Sequence, residues 1–200
     1  MRLIDRILEH PGIYAAWQRP FIARKFAPVQ RCLKNHTIRR VLDVGCGPGT
    51  NAARFAGSDY VGVDINSRYL EIARGKYRGA FIQADLETAD ISSFGRFDVI
   101  LVNSFLHHLP DAAVSRVLAQ LEDLLEPGGR IHILELVLPM RLSFPRIMAR
   151  LDRGRYARPL AEWHGLFSSH FDAAVLEPYV VGGLWAMVYF QGKKRICASQ

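Results

Sequence analysis

Acidic side chains lie within or directly after three apolar runs, and they are the first candidates for chemistry in this sequence. Asp43 lies within residues 40–44, Asp64 ends the run that begins at residue 60, and Asp85 follows residues 80–84. Runs of this kind are typical of buried parallel strands, whose carboxyl ends form the ligand-binding edge of an open α/β sheet. Because three carboxylates in one cleft repel a polyanion, the pattern favours a ligand with a cationic end.

A glycine-rich turn follows the first of these runs. Gly45, Gly47 and Gly49 occupy alternate positions, and residues 51–56 can open a helix. Glycine permits positive φ and close approach of a ligand to the backbone, and the helix beyond offers unpaired N–H groups. The spacing departs from the G-x-G-x-x-G of dinucleotide-binding folds because the third glycine comes one residue early. The turn also has no lysine or arginine that would hold a pyrophosphate.

The run D-V-G-C-G-P-G-T at residues 43–50 resembles the first motif of the class I S-adenosylmethionine (SAM)-dependent methyltransferases, and the resemblance extends over residues 41–138. It implies SAM as the cofactor and S-adenosylhomocysteine as its product. In the family, the acid at Asp64 accepts the ribose hydroxyls and the acid at Asp85 faces the adenine amine, although dinucleotide-binding enzymes share the ribose acid. The cofactor-binding residues implied are Asp43, Gly45, Cys46, Gly47, Gly49, Asp64, Ile65, Asp85, Leu86, Asn103 and Ser104.

Residues 103–109, N-S-F-L-H-H-L, follow the fourth apolar run, and in the family this segment lies beside the methyl group to be transferred. It lacks N-P-P-Y or a relative, which argues against methylation of amino groups on DNA bases. Histidine titrates near neutral pH, so His107 and His108 are candidate general bases. The alternative is that one of them packs and orients the loop. Glu135, near the end of the fifth predicted strand, either faces the substrate or is solvated.

The apolar periodicity predicts an α/β fold. Strands are expected at residues 97–102 and 130–137, and helices at residues 67–77, with Leu70, Ile72 and Ala73 inward, and from residue 111 to Pro127-Gly128-Gly129. Residues 174–181 and 184–190 predict a closing hairpin, followed by a solvated Lys193-Lys194-Arg195 tail. The family sheet is doubly wound, with seven mostly parallel strands, an antiparallel last strand and helices on both faces.

Two helical caps are expected outside this sheet. Residues 2–36 predict helices that break at residues 10–12, with Pro20 and Pro28 opening new turns. Residues 139–171 predict two helices, joined by an arginine-rich stretch at residues 150–158. The candidate substrate-binding residues on these caps are Trp17, Arg155 and Tyr156. The expected organisation is one domain over 1–200, divided into an N-terminal cap (1–39), a cofactor-binding core (40–138), a substrate cap (139–171) and a C-terminal hairpin (172–200).

The composition indicates a globular protein with uneven charge. Half of its 200 residues are hydrophobic and the formal net charge is +7, yet the core at residues 41–138 is acidic and its flanks are basic. No apolar run approaches the roughly 20 residues of a membrane span, and the N-terminus lacks the apolar core of a signal peptide. Cys32, Cys46 and Cys197 have no paired spacing, which predicts a reducing, cytoplasmic setting and no metal site.

These observations favour a SAM-dependent methyltransferase acting on a small or carrier-bound metabolite of anionic character. The basic flanks are either solvated helix faces or a rim that attracts an anionic substrate, an acidic carrier protein or a membrane surface. Two alternatives stay open at this point. One is an RNA or tRNA base methyltransferase, which the basic charge favours and the lack of a recognisable RNA-binding module opposes. The other is a SAM-binding regulatory protein without catalysis.

Overall fold

The computed structural model describes residues 11–34, 36–152 and 154–195, with side chains from residue 21 onwards. These residues contain a sheet of seven strands in the order β3-β2-β1-β4-β5-β7-β6. Strand β7 is antiparallel to both of its neighbours, and the other pairs are parallel. The strands are β1 (Arg40–Val44), β2 (Asp59–Asp64), β3 (Ala80–Gln83), β4 (Phe97–Asn103), β5 (Leu125–Leu136), β6 (Phe171–Val181) and β7 (Trp185–Lys194).

In the described part of the chain, five α-helices and three 3₁₀-helices connect and cover these strands. The α-helices are α1 (Pro11–Leu33), α2 (Ser67–Lys76), α3 (Asp111–Asp123), α4 (Phe144–Leu151) and α5 (Leu160–Ser168). The 3₁₀-helices span Ala52–Phe55, Ser92–Phe94 and Leu106–His108. No helix in the described part of the chain combines the length and apolar character that crossing a bilayer requires.

Alternation along the central strands sends apolar side chains into a core on each face of the sheet. In β4, Ile100 and Val102 join one cluster while Val99 and Leu101 join the other. Helices α3 and α5 cover the first cluster, and α1 and α2 cover the second. Each fully buried aliphatic or aromatic side chain stabilises the fold by about 1.5–3 kcal/mol. The doubly wound α/β architecture expected from the sequence is therefore confirmed.

Helix α1 differs from the predicted series of short helices. It runs without a break from Pro11 to Leu33, through both Pro20 and Pro28. Pro11 is its first residue, where a missing N–H costs nothing. Each internal proline removes one helical hydrogen bond, and the burial of Phe26 and Val29 against the sheet offsets this cost. The prediction of a break at residues 10–12 was wrong for Pro11 and Gly12, which are helical. Residues 1–10 lie outside the described part of the chain.

Local details were also wrong around the glycine turn and α2. Residues 51–56 form only a single 3₁₀-helix, Ala52–Phe55, because the chain must turn at once into β2. Helix α2 has its N-cap at Asn66 and buries Leu70 and Ala73. Ile72, which was expected to point inward, is exposed because it lies on the opposite side of the helix from this buried pair.

The later strands are longer than the sequence predicts. Helix α3 ends at Asp123, and β5 already begins at Leu125, with a register shift against β4 between Phe97 and Val99. Pro127-Gly128-Gly129 was expected to lie between the helix and the fifth strand. These residues instead form an irregularity within β5. Strand β7 extends to Lys194, whose backbone is paired with Phe171 of β6, so the tail expected to be solvated is partly in the sheet.

Candidate active site

A cavity of about 710 Å³ lies at the carboxyl ends of β1, β2, β3 and β4. Its wall comes from the glycine turn, the segments that follow β2 and β3, the loop after β4, and Ile22 and Lys25 of α1. This volume lies within the range of small-molecule sites. Ten residues proposed from the sequence line it: Gly45, Cys46, Gly47, Asp64, Ile65, Asp85, Leu86, Asn103, Ser104 and His108.

The glycine turn is shaped by backbone conformation and by packing. Gly45, Gly47 and Gly49 have φ values of 67°, 55° and 75°, in the region that favours glycine. Gly47 faces open space, and its N–H donates to Asp64 Oδ2 at 2.8 Å. Gly49 does not line the cavity, because its Cα packs against α2, where a Cβ would lie 3.0 Å from both Ala73 and Tyr77. Only part of the turn thus faces a ligand.

Asp43 lies under the cavity wall rather than on it. It is fully buried, and its Oδ2 accepts hydrogen bonds from Tyr60 Oη and from Asn51 Nδ2. Burial raises the pKa of Asp43 to about 7, against the opposing effect of these two donors. Asn51 itself lines the cavity, a residue that the sequence analysis missed. Asp43 thus reaches the cavity wall through Asn51.

Asp64 and Asp85 face the cavity and also fix its backbone. Asp64 Oδ1 accepts from Asn66 N at 2.8 Å, while its other oxygen holds the glycine turn. Asp85 Oδ1 accepts from Glu87 N at 3.0 Å. Both carboxylates therefore keep a fixed orientation without a ligand, and each retains lone pairs for further donors.

Asn103 ends β4, and Ser104 follows it in an unusual backbone conformation. Asn103 Oδ1 is buried and has no hydrogen-bond partner among the described residues. Ser104 has a φ of 53°, and it is the one non-glycine residue in the described ranges with positive φ. Such a conformation costs about 1–3 kcal/mol and persists only where the surroundings impose it. Here the Ser104 N–H donates to Leu134 O at 2.8 Å.

Glu135 imposes the shape of the loop after β4. Its carboxylate is fully buried, and Oε1 accepts from Phe105 N at 2.8 Å and from Leu106 N at 2.6 Å. Its Oε2 accepts from His107 Nδ1 at 2.7 Å. The expectation of a solvated or substrate-facing acid was therefore wrong. The strand-end position was visible in the sequence, but the backbone partners across the sheet were not.

His107 lies between two carboxylates. Its Nε2 is 3.2 Å from Asp152 Oδ1, on the side of the ring away from Glu135. Burial lowers the pKa of His107, but Glu135 and Asp152 outweigh this effect and raise the pKa to about 9. The backbone of Gly154 packs so closely on the ring that a Cβ there would lie 1.9 Å from His107 Cδ2. His107 is therefore held as an imidazolium at neutral pH, which favours a positioning role over a basic one.

A smaller cavity of about 40 Å³ adjoins the first. The two share Lys25, Ser104 and His108 in their walls. Apolar side chains form most of the remaining wall of the smaller one: Phe21, Leu136, Val181, Trp185 and Met187. Lys25 is partly buried, and burial lowers its pKa to about 8 against the opposing effect of Glu135 and Asp152. Sequence analysis missed Lys25, because a lysine within a predicted cap helix carries no distinguishing signal.

Two of the three residues predicted to bind substrate do not lie at these cavities. Arg155 and Tyr156 are exposed and line neither cavity, so their substrate role stays a prediction. Trp17 lies in α1, and its side chain is outside the described part of the structure. Arg158 of the same arginine-rich stretch is buried and donates to Leu109 O at 2.8 Å, so it supports the loop.

The charge on His107 predicts a pH-dependent stability. The pKa of His107 in the folded protein, about 9, exceeds the 6.5 of an unperturbed histidine, so the stabilisation is complete below pH 6.5 and is lost as pH rises through 9. This amounts to about 3 kcal/mol. We expect the difference in unfolding free energy between wild type and His107→Gln to shrink over this interval in denaturant titrations. Exposed His164 provides the matched control, His164→Gln. A difference that stays constant with pH would contradict the imidazolium.

Residues 41–129 match a family model described as a methyltransferase domain. An uncharacterised methyltransferase of Mycobacterium tuberculosis is 38% identical over 104 residues, which are 50% of this chain and 51% of the relative. Trans-aconitate 2-methyltransferase of Methylobacterium radiotolerans is 34% identical over 155 residues, 75% of this chain and 52% of the relative. The chain therefore spans about half the length of these curated relatives.

The fold is also similar to that of solved methyltransferase structures. A TehB-like SAM-dependent methyltransferase of Corynebacterium glutamicum superposes with a TM-score of 0.69 at 17% identity, covering 94% of this chain and 99% of that one. At this identity the likeness concerns the fold alone. From its family match, its methyltransferase relatives and its fold, the chain contains a methyltransferase domain of the class I SAM-dependent type.

Proposed function

We propose that the protein transfers the methyl group of SAM to a small anionic acceptor whose reacting end lies where the two cavities meet. The observation that carries this proposal is the junction between the two cavities. Lys25, Ser104 and His108 line both, so a ligand in one meets a ligand in the other at this point. A reacting pair divided between the two cavities would be held at close range, which is the main requirement of a displacement reaction.

The larger cavity fits SAM in size and in chemistry. Its volume of about 710 Å³ accommodates a nucleoside with an amino-acid tail. The buried Asn103 Oδ1 accepts no hydrogen bond from the described residues, and an ammonium or amine group of SAM could donate one to it. Once bound, SAM supplies a methyl group on a positively charged sulfur, which leaves as a neutral thioether when the acceptor's lone pair takes the methyl carbon.

The wall residues divide the recognition of SAM among them. Asp64 accepts the ribose hydroxyls, because its fixed carboxylate faces the cavity at the end of β2. Asp85 and Leu86 contact adenine, one through its carboxylate and the other through an apolar surface. The backbone at Gly45 and Gly47 lies against the amino-acid end. Asp43 contributes by fixing Asn51 rather than by direct contact.

At about 40 Å³ the smaller cavity fits only the reacting end of an acceptor, and its wall favours an apolar part beside a negative charge. Five of the side chains in its wall are apolar, and they exclude water from the reacting groups. The Lys25 ammonium group belongs to the walls of both cavities and provides a site for a carboxylate. The relative that acts on trans-aconitate, as its name states, is consistent with an acceptor of this type.

His108 is the candidate for accepting a proton from the acceptor. It lines both cavities, whereas its neighbour His107 is buried and tied to Glu135 and Asp152. A carboxylate has no proton to lose, but an acceptor hydroxyl must lose its proton before or during transfer, and an imidazole at the junction is placed to take it. Ser104, held at positive φ, sets the backbone that carries this segment.

Removal of the ribose acid tests the cofactor site. Asp64→Ala should weaken SAM binding by at least about tenfold, because hydrogen bonds to a charged group contribute about 1.5–3 kcal/mol. Isothermal titration calorimetry measures the dissociation constant directly. Asp59→Ala is the matched control, since Asp59 begins the same strand at the opposite end and is exposed. Equal affinities in both variants would contradict the ribose role of Asp64.

Neutralisation of Lys25 tests the anionic acceptor. Formation of S-adenosylhomocysteine is first measured with a panel of small carboxylic acids, including trans-aconitate, and with their amides. For the best acid, Lys25→Met should raise KM by at least about tenfold through loss of a charge-assisted contact, with SAM affinity retained. Amides that react as well as the acids would contradict an anionic acceptor.

Replacement of His108 tests the proton acceptor. With an acceptor that is methylated on a hydroxyl, His108→Ala should lower kcat by about 10²- to 10⁴-fold while changing the dissociation constant of SAM little, as expected for a general base. His164→Ala, at an exposed position of α5, is the control. A modest and equal loss of turnover and of SAM affinity would instead assign His108 to packing of the loop.

A further inference from the structure

The segment Met140 to Leu151 exposes an unusual amount of apolar surface. Nine large hydrophobic residues are exposed in the described part of the chain, and five of them fall within these twelve positions. Their exposed fractions range from 46% to 86%. The five are Met140, Leu142, Phe144, Ile147 and Leu151. We call residues 140–151 the apolar strip. Clustered exposure of this kind marks an interaction surface, whereas scattered exposure does not.

Helix geometry explains why the exposed side of α4 is apolar. Phe144, Ile147 and Leu151 follow an i, i+3, i+7 spacing and therefore lie on one side of the helix. Ala149 is buried on the other side. The helix is held in place independently of any partner, because Ser143 Oγ accepts from Arg146 N at its start. The apolar side is thus a surface of the folded protein.

The charges of the strip have one sign. Arg141 and Arg150 are exposed beside the apolar residues, and no acidic residue occurs within the strip. Arg146 is partly committed to the backbone, since its guanidinium donates to Pro139 O and Met140 O. The first acid beyond the strip, Asp152, faces His107. Apolar side chains accompanied by arginines suit the boundary between acyl chains and anionic headgroups.

We propose that the apolar strip binds the surface of an anionic lipid bilayer, with α4 lying in the plane of the interface. A second copy of this chain fits the strip less well, because a twofold contact would bring arginines of the two copies together. An acidic protein would pair with the arginines but would gain little from five apolar side chains. An anionic bilayer interacts favourably with the arginines and with the apolar side chains, so both contributions favour binding.

The inner side of α4 ties this surface to the smaller cavity. Ala149 and Met148 pack in a cluster with Leu136, Trp185 and Met187, which line that cavity. Attachment through the outer side would therefore place the cavity wall next to the bilayer. The proposal concerns attachment alone, and it does not depend on which acceptor the protein methylates.

Co-sedimentation with vesicles tests the proposal on the full chain. Wild type should bind vesicles of phosphatidylcholine with phosphatidylglycerol, and bind those of phosphatidylcholine alone much less. Leu142→Ser with Phe144→Ser should weaken binding at least about tenfold, through lost apolar burial. Arg141→Gln with Arg150→Gln should weaken it about fivefold for each charge removed, and added salt should act in the same direction. Ile72→Ser and Arg78→Gln alter exposed side chains on and after α2 and should bind as wild type does.

Four outcomes would overturn the proposal. Wild type that ignores the anionic vesicles is the first, and binding insensitive to the two serine substitutions is the second. A third is a wild-type dimer in analytical ultracentrifugation that these substitutions convert to a monomer, because the strip would then be a contact between copies. The last is a fall in melting temperature of the serine variant without vesicles, which would mean that other residues of this chain cover the strip.

Discussion

The buried carboxylate of Glu135 is the interaction on which the site depends. It accepts from two consecutive amides of the loop after β4 and from the ring of His107, all within 2.8 Å. A buried carboxylate without partners would destabilise the fold, and the three donors compensate for its loss of hydration. The carboxylate in turn fixes the positions of these donors. The loop and the strand that carries Glu135 therefore stabilise each other at the edge where the two cavities meet.

Charge around this carboxylate is balanced within a small volume. His107 is cationic between Glu135 and Asp152, and Lys25 of α1 lies near both acids. The loop after β4, the segment that follows α4 and helix α1 are thereby linked through electrostatics rather than through apolar packing alone. Such a network fixes the relative positions of its members, because displacement of one partner leaves a buried charge without an opposite charge. It accounts for a well-defined junction built from three separate parts of the chain.

The general architecture could be predicted because it depends on local patterns. Apolar runs, glycine spacing and the acids at Asp64 and Asp85 are all readable along the chain, and the structure places these acids on the larger cavity. What could not be predicted depends on contacts between distant residues. The amides that Glu135 binds, the burial of Asp43 beneath Asn51 and the position of Lys25 beside the cavities arise only when the sheet is assembled. Prolines misled the analysis of α1, since their local cost was smaller than the gain from packing.

The way Glu135 holds the loop has a consequence for divergence within such proteins. Its Oε1 binds main-chain amides, which every amino acid except proline provides, so it is indifferent to the side chains attached to them. Residues 105 and 106 can thus be exchanged by natural variation, within the limits of packing, while the path of the backbone is retained. A scaffold of this type permits new specificities to evolve on an unchanged loop, and it forbids proline at both positions.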